Sequence, residues 1–418
     1  MGRGRVHHPH RRRVLGAGYF SRLGPGLISG AADDDPSGIG TYVQVGAAQG
    51  NLLLWTAPAV FPLALAVQEA CARLALVTGT GLASVIRERM PRWVLWVVLI
   101  AVGTANTVNI AADLGSMVAA ARLLIPIPQV IGVVLLAAAI AISEIVLPYR
   151  RYARILRWLC LSLLAYVGVL VVANVDWPSV LRATFLPQLT FDRTVMLALI
   201  AIIGTTISPY LFFWQAAEEA EEEAGAPPDL SGGHVRAMRG DVTAGMLSAV
   251  VAMFAIMATG AATLHAAGIT DIQTADQAAL ALRPLAGDAA GLLFALGIFG
   301  TGLLAVPVLA GSTAYAVSET LGWREQEGRR PRIFAVIIIG SMVVAIVMNL
   351  IGIEPMRFLY LAAILNGLVA PLLVAIVWWL ARDRGLMGRW RSGHLSQVVL
   401  GVTVVLMVAA PVAWLLAG

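Results

Sequence analysis

At 418 residues the chain is long enough for several soluble domains, yet 59% of it is hydrophobic and only 13% is charged, too little charge to cover a water-facing surface of that size. Its basic side chains are all arginine, and they sit in short segments between apolar runs, so the net charge of +5 points to membrane topology and not to nucleic acid. Composition thus excludes a soluble enzyme and leaves an all-α integral membrane protein as the fold class.

Taken in chain order, residues 1–23 form a basic N-terminal tail, and 24–418 read as a single transmembrane domain. The tail's His7, His8 and His10 have no zinc-like spacing and read as soluble padding near anionic lipid. The tail does not read as a cleavable leader, because Asp33, Asp34 and Asp35 interrupt the apolar run that follows. Apolar runs predict about eleven spans, near 24–49, 52–83, 93–121, 127–147, 152–174, 192–222, 237–267, 288–320, 331–352, 356–382 and 395–417.

The connection from Gly268 to Asp288 carries a helical pattern and is expected to lie on the surface as a short lid helix. The stretch from Glu218 to Asp241 reads as a cytoplasmic loop, acidic and then basic. Arginine clusters fall in alternate connections, at Arg87/Arg89/Arg92, Arg150/Arg151/Arg154/Arg157, Arg324/Arg329/Arg330/Arg332 and Arg382/Arg384/Arg389/Arg391. The positive-inside rule then places the N-terminus in the cytoplasm and, after an odd number of spans, the C-terminus outside a cell membrane crossed many times.

Two spans are interrupted where interruption is expensive. In the first, Asp33 to Asp35, Pro36, Gly38 and Gly40 stand mid-run, and in the sixth Gly204, Thr205, Thr206, Ser208 and Pro209 do the same. Unpaired backbone at that depth survives only against a cavity or buried in protein. The positions correspond if helices 1–5 and 6–10 are two halves, and broken helices at matching places in an inverted repeat point to the substrate site of a transporter.

The chemistry of the breaks suits a hard cation. A carboxylate at the C-terminal end of the first half-helix opposes the helix dipole and calls for a cation. Carboxylate, hydroxyl and carbonyl oxygens favour magnesium, calcium or manganese over softer metals. Asp35, beside the break, is the expected ligand. Asp33 and Asp34 read first as caps or interhelical hydrogen-bond partners, and the Ser208 and Thr205 hydroxyls serve equally as ligands or as partners for freed backbone.

At these residues the chain resembles the Nramp family of divalent-metal transporters, and within it the Nramp-related magnesium branch. The resemblance runs over nearly the whole chain, through "LGPGLISGAADDDPSGIGTYVQVGAAQG", "ARLALVTGTGLASVIRERMP" and "ARDRGLMGRW". It implies an eleven-helix, LeuT-like fold whose first and sixth helices rearrange to give alternating access. The family's D-P-G-N falls on Asp35, Pro36, Ser37 and Gly38, and its M-P-H on Ser208, Pro209 and Tyr210, while two backbone carbonyls fall on Ala32 and Thr205.

The carboxylate stays, but the asparagine becomes Gly38, the thioether a hydroxyl and the imidazole a phenol. This departure is expected to favour partly hydrated Mg²⁺ over Mn²⁺ in a roomier, all-oxygen pocket. The resemblance also implies acidic residues on the third helix for proton coupling. Here Asn106 and Ser116 stand at two of those places and only Asp113 remains, so coupling is expected to be weak or absent.

Other residues read as supporting cast. Ser37, Tyr210 and Asp34 are expected around the ligands, Asn366 as an interhelical hydrogen-bond partner near the site, and Glu218 and Glu219 as a solvated helix end or a vestibule that gathers cations. Glu69 and Arg73, one turn apart, read as a structural pair. Cys71 and Cys160 lie in apolar runs and suggest no disulfide. No catalytic constellation stands out, so the expected partners are the transported divalent cation and the bilayer, with no cofactor and no nucleic acid; the sequence leaves the oligomeric state open and is compatible with a monomer. Three competing functions stay open: a proton-coupled Mn²⁺/Fe²⁺ transporter of the same family, an amino-acid transporter of the same fold, which the fixed charge of Asp35 disfavours, and a metal sensor, which the lack of a soluble domain disfavours.

Overall fold

The structure, a computed structural model, describes residues 24–146, 161–173, 175–188, 190–222, 230–322 and 332–416. The N-terminal tail with its three histidines, the first part of the expected fifth span, and the clusters Arg150–Arg157 and Arg324–Arg330 lie outside these residues. The described residues are helical almost throughout. Among the described residues seven helices are long and apolar enough to cross a membrane. Two shorter apolar helices, a first span split in two, and a helix at Leu164–Val172 complete the eleven expected spans.

The first span comprises α1 (Pro25–Asp33) and α2 (Pro36–Gln49). The second is α3 (Thr56–Thr78), which ends earlier than expected because Gly79 takes up a left-handed conformation (φ 66°) and closes it; a separate short helix, α4 (Leu82–Arg89), follows. Then come α5 (Arg92–Ala121), α6 (Gln129–Val146) and α7 (Leu164–Val172). The helix α8 (Trp177–Phe185) is not expected from the sequence, being too short for an apolar run to mark it.

The sixth span is α9 (Arg193–Thr206) and α10 (Pro209–Glu222). Asp192 caps α9, and the Thr194 hydroxyl and amide hold its carboxyl below the ordinary range. The seventh, α11 (Gly232–Gly260), runs into a π-helical turn at Ala261–His265. The expected surface helix resolves into α12 (Ala275–Ala279), closed by a capping box between Thr274 and Gln277, and α13 (Arg283–Ala286). The last spans are α14 (Ala290–Thr320), α15 (Arg332–Asn349) and α16 (Pro355–Arg382), then the one-turn α17 (Arg384–Met387) and α18 (His394–Leu416).

Packing follows the two halves. The broken first span lies on α11, the broken sixth on α3 and α16, and α5 lies along α14. Exchanging spans one with six and two with seven converts the first of these contacts into the second, as an inverted repeat requires. The contact of α1 with α11 is close enough that a Cβ on Gly30 would overlap the Gly245 carbonyl, and one on Gly245 the Gly26 carbonyl. Asp241 of α11 completes this seam by accepting hydrogen bonds from the amides of Gly26 (2.7 Å) and Leu27 (3.3 Å), so α1 is capped by a neighbouring helix.

The two ends of the bundle differ in charge. At one, Glu69 takes both Arg73 (2.9 Å) and Arg239 (2.8 Å), Arg73 reaches the Trp390 carbonyl and Ser392, and Arg89 pairs with Asp383. At the other, uncharged links predominate: Gln44 clasps the backbone of Thr270 and Ile272, and His265 meets the Ala47 carbonyl. Large apolar side chains such as Trp93, Ile100, Leu135 and Val405 stand exposed between them, and α18 buries little of itself. That belt is the surface a bilayer solvates.

Candidate functional site

Both breaks have the same local cause. Proline suits the first position of a helix and pushes the residue before it into an extended conformation. Asp35 is accordingly extended (φ −66°, ψ 170°) ahead of Pro36, after α1 has ended at Asp33. In the sixth span α9 ends at Thr206 and Pro209 opens α10, with Ile207 and Ser208 between.

This geometry changes the electrostatics expected from the sequence. Asp35 is the N-cap of α2, where the helix dipole favours its charge, and does not share the C-terminal end of α1 with Asp33 and Asp34. Its carboxylate is also well served. Oδ1 accepts from the Gly38 amide and the Ser37 hydroxyl, both at 2.7 Å, while Oδ2 accepts from the Asn109 amide at 2.9 Å and lies 3.3 Å from the Tyr210 hydroxyl. The carboxylates left at the end of α1 are less satisfied: Oδ1 of Asp33 and Oδ1 of Asp34 are buried without a partner.

The sixth span closes the other side. Tyr210 donates to the Ala32 carbonyl at 2.8 Å, so this phenol ties the start of α10 to the end of α1. Thr205 places its hydroxyl 3.4 Å from that of Ser37, and a side chain on Gly38 would press on the Asp33 carbonyl (3.2 Å) and the Thr205 hydroxyl (3.4 Å). The room expected at Gly38 is thus taken up by the two breaks meeting. Ser208 turns its hydroxyl back onto the carbonyls of Thr205 (2.6 Å) and Gly204 (3.1 Å), satisfying freed backbone in its own break. Thr206 is joined to Tyr42 at 2.8 Å and lies 3.8 Å from the Met253 sulfur.

The structure therefore gathers Ala32, Asp35, Ser37, Gly38, Thr205 and Tyr210 at one place, with Ser208 beside Thr205. Asn366 is one step removed, its amide 3.4 Å from Asn109. Asn109 itself escapes sequence reading, although Asn106, Asn109 and Asp113 recur at helical spacing along one face of α5 and would have marked it. Asn106 instead fastens α5 to α14 through the Leu309 carbonyl, Ser312 and Thr313. Asp113 is buried with neither oxygen hydrogen bonded, and Ser116 bonds back to the Asp113 carbonyl.

Glu218 and Glu219 are neither loop residues nor solvated. They lie in α10, only 4% and 5% exposed, and contact Tyr315 and Gln215 respectively. Gln215 in turn accepts from Ser29 of α1 at 2.7 Å. Among the described residues no group of three or more His, Cys, Asp or Glu side chains is arranged to hold a metal ion. A cation at the breaks would be met by one carboxylate, hydroxyls, backbone carbonyls and water.

With two half-helices meeting at a cluster of buried aspartates, comparison with known proteins becomes decisive. Residues 26–417 match the family described as Nramp, natural resistance-associated macrophage protein-like. The chain belongs to the Nramp family. The divalent metal cation transporter MntH of Pectobacterium carotovorum is 28% identical over 406 residues, covering 93% of this chain and 92% of the relative. Among solved structures, the manganese transporter of Eremococcus coleocola, in complex with an aromatic bis-isothiourea compound, superposes with a TM-score of 0.79 at 16% identity, covering 97% of this chain and 87% of that one.

The same fold extends beyond Nramp proteins. Mhp1, a nucleobase-cation-symport-1 transporter in a closed conformation, matches with a TM-score of 0.57 at 16% identity over 94% of this chain and 91% of its own. The all-α, LeuT-like architecture expected from the sequence is the one observed.

Proposed function

We propose that this Nramp-family divalent cation transporter carries Mg²⁺ in preference to Mn²⁺, by alternating access at the two breaks, with weak or absent proton coupling. One observation supports the reading above the rest: the groups gathered around Asp35 are hydroxyls, amides and carbonyls, with Ser208 and Tyr210 at the places where the family carries a thioether and an imidazole. Hard oxygen donors around one carboxylate suit an ion that keeps several of its waters. Asp35 would be the charged ligand, with the carbonyls of Ala32 and Thr205 and the Ser208 hydroxyl reached once Tyr210 and the Ser208 proton turn away.

The arginine-rich end faces the cytoplasm on this reading, and a membrane potential of about 100 mV supplies about 4.6 kcal/mol for two inward charges. Mn²⁺ is the second reading, favoured by the solved relative named a manganese transporter. The test is uptake of Mg²⁺, Mn²⁺ and Ca²⁺ by purified protein in liposomes beside Asp35→Ala. Mg²⁺ uptake lost in the variant is the expected result; normal transport by Asp35→Ala would remove Asp35 from the site, and no Mg²⁺ uptake by the natural chain would end the magnesium reading. Acidification strictly coupled to metal uptake would overturn the uncoupled mechanism. Ser208→Met should move the ranking toward Mn²⁺.

A further inference from the structure

The hydrogen bonds of Asp35 are unequal, and the inequality concerns which ions the site accepts. Oδ1 is committed twice at 2.7 Å, to Gly38 and Ser37 of its own helix turn, and these bonds move with α2. Oδ2 is held at 2.9 Å by Asn109 from another span, and only loosely by Tyr210 at 3.3 Å, whose single proton goes to the Ala32 carbonyl at 2.8 Å. An ionised carboxylate has about four acceptor positions. Three are firmly used, which leaves the direction facing Tyr210 on Oδ2.

Asn109 is itself held from behind. Only its NH₂ group can face a carboxylate, so its carbonyl oxygen is turned toward Asn366, whose amide stands 3.4 Å away on α16. Both asparagines are buried, at 0% and 1% exposure. The chain Asn366, Asn109, Asp35 joins α16 and α5 to the break and fixes the carboxylate plane.

Resting on the reading of Asp35 as the cation ligand, we infer that Asn109 is a positioning residue which presents Asp35 as a one-oxygen ligand and thereby discriminates against Ca²⁺. Mg²⁺ takes single oxygens in a tight octahedron and keeps water in the other places; Ca²⁺ takes six to eight oxygens and readily uses both oxygens of a carboxylate. With Oδ1 capped and Oδ2 braced, Asp35 cannot swing to offer both. Without Asn109 the carboxylate rotates about its side-chain bonds, and the site loses its penalty for the larger ion.

The experiment is liposome uptake of Mg²⁺ and Ca²⁺ over a concentration series, for the natural chain, Asp35→Ala, Asn109→Leu and Asn109→Ser, each checked for a monodisperse peak. Asn109→Leu keeps the branched shape and removes the donor; the smaller Asn109→Ser carries the test if the leucine variant does not fold. The expected result is a KM for Mg²⁺ raised about 10- to 100-fold, the range for losing a partner behind a metal ligand, with Vmax largely kept and the Ca²⁺:Mg²⁺ uptake ratio raised. A variant with unchanged KM and ratio, or one losing both ions in equal proportion, overturns the role of Asn109, while loss of uptake in Asp35→Ala leaves the site reading intact. Normal transport by Asp35→Ala overturns both.

Discussion

The two breaks share a cause and differ in chemistry. Each is opened by a proline that begins the second half-helix, yet the first carries three carboxylates and the sixth carries none. The first break satisfies its key charge with donors drawn from three spans: its own, α5 and α10. The sixth looks after itself, Ser208 bonding to the carbonyls of Thr205 and Gly204 and Thr206 to that of Ile202. A break that needs its neighbours is a place where binding alters packing; a self-sufficient break can change shape without leaving groups unpartnered.

Asp35→Asn tests this contrast most severely. The variant keeps the shape of the cap but removes the charge, and metal uptake should fall below detection; residual uptake within about tenfold of the natural chain would mean that the charge is not what binds. Tyr210→Phe comes next. It strands the Ala32 carbonyl and should cost the ion-free protein about 1–3 kcal/mol, read as a lower thermal midpoint that added Mg²⁺ partly restores.

Thr206→Val removes the acceptor of the Tyr42 hydroxyl and should cost on the order of 1 kcal/mol in the same melt, with ion ranking unchanged. Ser208→Ala should do least. Its two carbonyls lose a neutral donor for about 1 kcal/mol or less, and a KM for Mg²⁺ that rises by a small factor would mark the hydroxyl as a ligand in addition to a partner for backbone. If Ser208→Ala proved as damaging as Asp35→Asn, the contrast between the breaks would be lost.

Most of the architecture is legible in the sequence because the signals are local. Apolar length marks the spans, and proline with polar residues in mid-run marks both breaks. Asp35 is legible for the same reason, since a carboxylate at that depth is too costly to keep without a function. Which half-helix owns it is harder to see, though Asp before Pro is the ordinary start of a helix and assigns it to α2. Asn109 is only half legible for a different reason: its spacing from Asn106 and Asp113 marks a helix face, but it lies 74 positions from Asp35 and becomes a partner only when α5 packs beside the break. Glu218 and Glu219 are misplaced by sequence because a run of glutamates looks solvated until Tyr315 and Gln215 are seen to cover it. The short α8 carries too few residues for any periodic pattern.

The seam between α1 and α11 constrains how such a molecule can move. If α1 left α11 alone, the amides of Gly26 and Leu27 would give up Asp241, and the glycine contacts at Gly26, Gly30 and Gly245 would part together. Stranding those amides costs on the order of 1–3 kcal/mol each unless water replaces the acceptor at once. If α11 swings with it, nothing in the seam is broken. Mechanically, α1 and α11 behave as a lever and its mount, so force applied at the aspartate cluster is transmitted to the arginine-rich end along both helices and not dissipated in the first.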